Sequence, residues 1–345
     1  MTGRGTPPRR STQRQIAERL GLSPATVSLA MRDSPMIARE TRRLVREAMR
    51  ESGYVHNVAA ASLRTGRSRI VGVSFHNIAH QFFAEMLIAI EDKLAEQGTA
   101  VFINNHGEDP ASLARFVESL AAYGADALIV SPPPHVTTEI LAPIRQQHVP
   151  VVYVSRHIRG DDVADRVINA DHKAMARAVR HLYNLGHREI VLIGGQSGTT
   201  VAEDRVAGFR ARLGALGIPW TEDRWLQCRP RLTEGAEMAG RALAFDPRPT
   251  GIVCFNDLVA FGTMNAMRAH GLEPGRDVAV VGVGGTNEAA AFHPGLTTVL
   301  DNPSKIGRLA AEIVIARLTN PDTTPRHVVL DPKLVVRQSC GTARG

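Results

Sequence analysis

The sequence predicts an all-α helix-turn-helix segment followed by an α/β body of parallel, doubly wound sheets in two lobes. Three observations carry that expectation. From Ile70 onward, short apolar runs alternate with segments of helical period, the pattern of strand, helix, strand units whose parallel sheets are covered on both faces. Before residue 70 there are short amphipathic segments and no strand-like run. Charge divides at the same place. Residues 1 to 69 carry fourteen Arg, no Lys and five acidic side chains, a net of +9, so the whole-chain +7 leaves residues 70 to 345 at −2. Clustered arginines displace counterions from phosphates, so a basic segment on a near-neutral body is the footprint of nucleic-acid binding. A solvated charged surface gives the same count, and charge alone does not separate the two.

At 345 residues and 43% hydrophobic content, the chain is long enough to bury a large core in two or more domains. No stretch approaches the ~18 apolar residues of a membrane helix. The opening "MTGRGTPPRRSTQRQ" lacks the apolar run of a secretory signal, so a cytoplasmic protein with no membrane partner is expected. Cys228, Cys254 and Cys340 lie far apart without CxxC spacing, which suggests neither disulfides nor zinc. The pairs His76/His80 and His181/His187 lack a third ligand, so no metal and no cofactor is expected. The glycine clusters "LIGGQSG" and "VGVGG" fit neither phosphate-binding fingerprint and read as turns at strand ends. No nucleophile, base and orienter stand together, so no catalytic residue is assigned and the chain is not read as an enzyme.

Taken in order, residues 1–11 form a disordered basic arm. Thr12, with Gln15 three residues on, makes a capping box for "QRQIAERL", whose stripe is Ile16, Ala17 and Leu20. Gly21 ends that helix. Ser23 caps a second, with Pro24 at its first position, where the missing N–H costs nothing. Two helices separated by "GLS" make a helix-turn-helix. In the second helix Val27, Ala30 and Met31 face a core, while Leu29 lies on the opposite, polar side with Ala25, Ser28 and Arg32. A third helix, Arg39 to Ser52, is expected to bury Leu44, Val45, Ala48 and Met49 and to close on a left-handed Gly53. Its N-cap, Ala38, is a poor one, costing ~1 kcal/mol against Ser. These helices define a domain at 12–56. Residues 57–69 are an Ala-rich patch too short to be stable alone, running into a basic linker, and 70–345 form the two-lobed body. Its strands are expected at "IVGVSF", "AVFIN", "ALIVS", "VPVVYVS", "EIVLIGG", "GIVCFN" and "VAVVGVGG", and its helices near 83–97, 110–122, 173–185, 203–216, 233–244 and 257–270. A ligand cleft belongs at the carboxyl ends of such strands.

The order and spacing of "IAERLGLSPATVS", "ETRRLVREAMRESGY", "AASLRTGRS", "FFAEML", "HLYNLGHREIVLIGG", "RVAGFR", "RPTGIVCFND", "DVAVVGVGG" and "PGLTTV" resemble the lactose-repressor/galactose-repressor family of bacterial transcription regulators, from about Thr12 to Ser339. The resemblance implies a ligand-responsive repressor that binds a pseudo-palindromic operator in double-stranded DNA as a homodimer. It puts Pro24, Ala25, Ser28 and Leu29 on the recognition helix in the major groove. Leu29 has no donor, so its partner there is a thymine methyl; the other placement packs it on the third helix or the turn. Phosphate contacts fall to Ser23, Thr26, Arg32 and Thr41. "AASL" resembles the family's hinge helix, with Leu63 as its minor-groove wedge and Ala59 and Ala60 allowing close approach.

For the effector, the resemblance implies Arg205, Asn256 and Asp257 as ligand contacts. It adds His76, Asn77, Phe82 and Phe83 as lining from the first-strand loop, and Asp171 opens the helix after the hinge-proximal strand. Ser155 and Gly284 stand where sugar-binding relatives often carry aspartates. That departure weakens the case for a simple hexose and leaves a phosphorylated or carboxylated metabolite, held by Arg205 and the histidines, beside a sugar. Family tetramers carry a leucine heptad tail, and "RQSCGTARG" has none, so a dimer is expected. The alternative is a soluble small-molecule binding protein without a DNA role, disfavoured by the basic helix-turn-helix and the missing signal; an enzyme with a Rossmann-like core ranks third.

Overall fold

A computed structural model of the chain describes residues 12–31, 33–54 and 66–341. It divides into two compact units, residues 1–66 and 67–345. The first holds α1 (Gln13–Leu20), α2 (Pro24–Met31) and α3 (Arg39–Glu51). Thr12 caps α1 through both arms of the capping box: Gln15 N donates to Thr12 Oγ1 at 3.3 Å and Thr12 N donates to Gln15 Oε1 at 2.8 Å. Gly21 and Gly53 take left-handed conformations after α1 and α3. Ile16, Ala17, Val27, Ala30, Val45 and Ala48 form the core, with Leu20, Leu22, Met31, Ile37, Met49 and Tyr54 packed around it. One expectation fails. Leu44 is 42% exposed, because α3 packs only on the side of Val45, Ala48 and Met49, and Leu44 stands one 100° step off that stripe. Ala38 makes no side-chain cap.

The second unit contains two six-stranded sheets. The first runs β2 (Ala100–Asn105), β1 (Ile70–Phe75), β3 (Ala127–Val130), β4 (Val151–Val154), β5 (Asp165–Asn169) and β11 (His327–Leu330), all parallel. The other runs β7 (Trp225–Leu226), β6 (Ile190–Ile193), β8 (Gly251–Cys254), β9 (Ala279–Gly284), β10 (Thr297–Leu300) and β12 (Lys333–Val335). Each sheet is covered on both faces, which is why its strands are continuous apolar runs. In the first lobe α4 (Gln81–Ala95) and α12 (Pro303–Thr319) cover one face, and α5 (Pro110–Ala122) with the short α6 (Ala142–Arg145) the other. In the second, α7 (Asp171–Asn184) and α8 (Thr200–Ala215) lie opposite α9 (Leu232–Leu243) and α10 (Asp257–Ala269), with the short α11 (Glu288–Ala291) beside the latter pair.

The pattern of elements matches the expectation with several additions and one change of strand direction. The strands β5, β10, β11 and β12 and the helix α12 lie outside the expected set, as does the two-residue β7. The second sheet is not wholly parallel, since β12 runs antiparallel to β10 with Thr298 opposite Val335. These additions carry the chain between lobes three times, at 169–171, 300–303 and 330–333. The glycine clusters are turns: Gly194, Gly195, Gly198, Gly284 and Gly285 all have positive φ.

Candidate functional site

In the N-terminal unit Ser23 and Pro24 open α2. Thr26 N donates to Ser23 Oγ at 3.0 Å, and the two hydroxyls lie 2.9 Å apart. Pro24 and Ala25 are exposed, Thr26, Ser28 and Thr41 partly so. Leu29 is partly buried but is not among the side chains packed on the core, so the sequence's packing alternative finds no partner in that cluster. Arg32, Ala59, Ala60 and Leu63 lie outside the described residues. On α3, Arg39, Arg42, Arg43, Arg46 and Arg50 fall within about 100° of one another at 100° per residue. Several are tied to neighbours: Arg43 to Glu40 and Glu47 at 2.6 and 2.7 Å, and Arg46 to Asp33.

In the second unit, a cleft between the lobes is lined by residues of both. Its centre is Arg205 on α8, only 4% exposed. Arg205 Nε donates to Asp171 Oδ1 at 2.6 Å, Nη2 donates to Asp301 Oδ2 at 2.9 Å, and Nη1 donates to the Phe255 carbonyl. The Phe255 ring stacks on the guanidinium at 4.8 Å. Asp171 is the first residue of α7 and Asp301 follows β10, so one arginine joins two of the three interlobe connections. At the third, Asp331 accepts from Lys173 at 3.3 Å and Arg177 at 2.6 Å. Gly208, one turn after Arg205, permits this geometry: a Cβ there would collide with the His172 carbonyl, so α8 lies against the start of α7 only if that position is glycine.

Two carboxylates around one guanidinium, out of water, are unevenly matched. Burial pushes Asp171 up to about 6, with Arg205 pulling the other way. Burial alone would lower Arg205, but Asp171 and Asp301 hold it well above its ordinary value. Burial also lowers His76 and His80, so both imidazoles are neutral near pH 7.

Of the expected effector residues, His76, Phe82, Phe83, Ser155, Arg205, Asn256, Asp257 and Gly284 line this cleft. Asn77 does not: it is exposed and its Oδ1 accepts from Ala79 N at 3.2 Å inside the turn before α4. The same turn sends His80 into the cleft, where its Nδ1 accepts from Phe82 N at 3.2 Å. Asn256 caps α10 by accepting from Val259 N at 2.9 Å, leaving Nδ2 3.5 Å from His80 Nε2. Asp257 faces inward, with Oδ1 accepting from Thr298 Oγ1 at 2.6 Å and Oδ2 from Gly285 N and Thr286 N at 2.7 and 2.9 Å. It orders the turn after β9. That turn also explains Gly284: its φ is +146°, and a Cβ there would sit 3.1 Å from Asp257 Oδ2. Sequence reasoning did not find Asn169, Glu85, Thr286 or Asp301. The last was the most accessible, since "TTVLDNP" ends a strand-like run on an aspartate.

Residues 12–57 match the bacterial regulatory proteins of the lacI family, and residues 179–340 match a periplasmic binding protein-like domain. The HTH-type transcriptional regulator DegA of Bacillus subtilis (strain 168) is 29% identical over 96% of this chain and 98% of its own. The maltose regulon regulatory protein MalI of Escherichia coli (strain K12) is 28% identical over 94% and 97%. Among solved structures, the lac repressor dimer bound to operator and the anti-inducer ONPF shares the fold with a TM-score of 0.85, at 23% identity over 97% of this chain and all of that one. No helix among the described residues is long and apolar enough to cross a membrane. With its helix-turn-helix unit, its two-lobed body and these relatives, the chain belongs to the lacI family of bacterial regulatory proteins and is a DNA-binding transcriptional regulator, not an enzyme.

Proposed function

We propose that the chain is a cytoplasmic homodimer whose domain at 12–56 reads a pseudo-palindromic operator and whose cleft, within 70–345, binds a small molecule that changes the affinity for that operator. In this reading Pro24, Ala25, Ser28 and Leu29 face base edges, with Leu29 on a thymine methyl. Ser23, Thr26, Arg32 and Thr41 hold phosphates. Residues 57–69 act as the hinge, with Ala59, Ala60 and Leu63 at the minor groove. The observation that carries the regulatory half is Arg205, because one side chain both borders the cleft and joins two interlobe connections. A ligand that disturbs it acts on the lobe arrangement directly, which is the differential contact that coupling between sites requires.

The same geometry revises the ligand class. An anion held by Arg205 would have to displace a carboxylate already there, and the neutral histidines bring no charge to compensate. Donor-rich ligands fit better, as in the related CelR–cellobiose complex, which shares 25% identity and a TM-score of 0.73. The test compares the full chain with a chain of residues 70–345. The full chain should bind DNA with an affinity that falls steeply with salt, and the shorter one should lose DNA while keeping the cleft. Retained DNA affinity in the shorter chain contradicts the reading.

A further inference from the structure

We infer that the cleft takes a ligand carrying a positively charged nitrogen, with its N–H donors against Asp301. This rests on reading the cleft as the effector site and names the class of molecule that fills it. The cleft is lined by four carboxylates, Glu85, Asp171, Asp257 and Asp301, and two guanidiniums, Arg156 and Arg205. Arg156 is neutralised by a fork onto Glu108 at 2.8 and 3.0 Å. Arg205 divides one positive charge between Asp171 and Asp301. His76 and His80 add none. Carboxylates therefore outnumber the positive charge available on these walls, and three of them, Asp171, Asp257 and Asp301, are buried.

The unmatched charge can be located atom by atom. Both oxygens of Asp257 are used, by the Thr298 hydroxyl and two backbone amides. Asp301, 5% exposed, uses Oδ2 on Arg205, while its buried Oδ1 has no hydrogen-bond partner among the described residues. Asn169 Oδ1 and Thr286 Oγ1, on the same walls, are also buried without one. All three accept hydrogen bonds. A carboxylate oxygen left unpaired out of water is more costly than an amide or hydroxyl in the same position. A ligand hydroxyl fills that valence but leaves the charge, whereas an ammonium or amidinium makes a charge-assisted bond and neutralises it. The rings of Phe82 and Phe83 on the walls suit a cation as well, since an aromatic face attracts positive charge. Phosphate or carboxylate would add to the excess.

The experiment measures melting temperature and calorimetric affinity of the full chain against matched probes: glucose, glucosamine and glucose 6-phosphate; galactose and galactosamine; 1,4-butanediol and putrescine. An amine should bind at least about tenfold more tightly than its neutral counterpart, and Asp301→Asn should abolish that advantage. Without ligand, Asp301→Asn should melt higher than the parent, because the substitution removes part of an uncompensated charge while Asp171 still pairs Arg205. Neutral or phosphorylated probes binding as well as the amines, no binding by any amine, an amine preference that survives Asp301→Asn, or a lower melting temperature for unliganded Asp301→Asn each overturns the inference. An amine that binds but leaves DNA affinity unchanged overturns instead the regulatory reading on which it rests.

Discussion

Arg43 on α3 and Arg205 on α8 each bridge two carboxylates at similar distances, yet they do different work. Arg43 holds Glu40 and Glu47 at 2.6 and 2.7 Å with more than half of its side chain in water. Arg205 holds Asp171 and Asp301 at 2.6 and 2.9 Å, almost wholly buried. Exposed pairs are screened and contribute little, so a phosphate can take the place of either glutamate with small net loss. The buried set has no such freedom, because each charge depends on the others for its solvation. In the proposed reading, the helical unit can therefore exchange partners with DNA, while Arg205 responds only to a ligand able to enter its cluster.

The sharpest way to break this contrast is Arg205→Ala. It strands Asp171 and Asp301 without their cation, and should destabilise the second unit by about 3 to 5 kcal/mol in denaturant titration, with the helical unit unaffected. A loss no larger than that of Arg43→Ala would erase the distinction. The next effect appears with pH. Asp171, raised to about 6 against an ordinary 3.8, binds its proton more tightly folded than unfolded. Its contribution to stability is fully present below 3.8 and is lost as pH rises through about 6. The stability of the parent relative to Asp171→Asn should fall across that window and stay flat above it; a rise would mean that Arg205 outweighs burial.

The helical unit allows smaller tests. Leu29→Ala should weaken binding by about 1 to 3 kcal/mol on the preferred operator, and much less on one altered at the contacted thymine. A uniform loss with a lower melting temperature would instead make Leu29 a packing residue. Smallest is Ala38→Ser, which supplies the missing cap of α3 and should stabilise that unit by about 1 kcal/mol in a thermal melt.

What the sequence made legible follows the range of the interactions. The capping box of α1 joins Thr12 to Gln15, and Gly53 needs only its own backbone, so both could be read locally. The helix-turn-helix and most strands could be read from periodicity. By that measure α12 was equally legible, since Ile306, Ala310, Ile313 and Val314 follow a helical stripe and are buried. The strands β5 and β11 were not, because "DRVIN" and "HVVL" are short and partly exposed, and β11 pairs only with the sequence-distant β5, Val167 against Val328. The cleft divides in the same way. Family resemblance points to Arg205 as a contact for an anionic or hydroxyl-rich ligand, but its partners come from 34 residues before and 96 after, out of reach of local sequence. The expected lining includes Asn77 and omits His80 because a turn's direction is not written in its composition.

Whether the basic helical unit reads specific DNA is decided by selecting fragments from a random DNA pool with the full chain and measuring the affinity of the winners as salt is raised. Two inverted half-sites should be enriched, and log affinity should fall linearly with log salt concentration. A pool that emerges without a common sequence, or an affinity indifferent to salt, would contradict that reading.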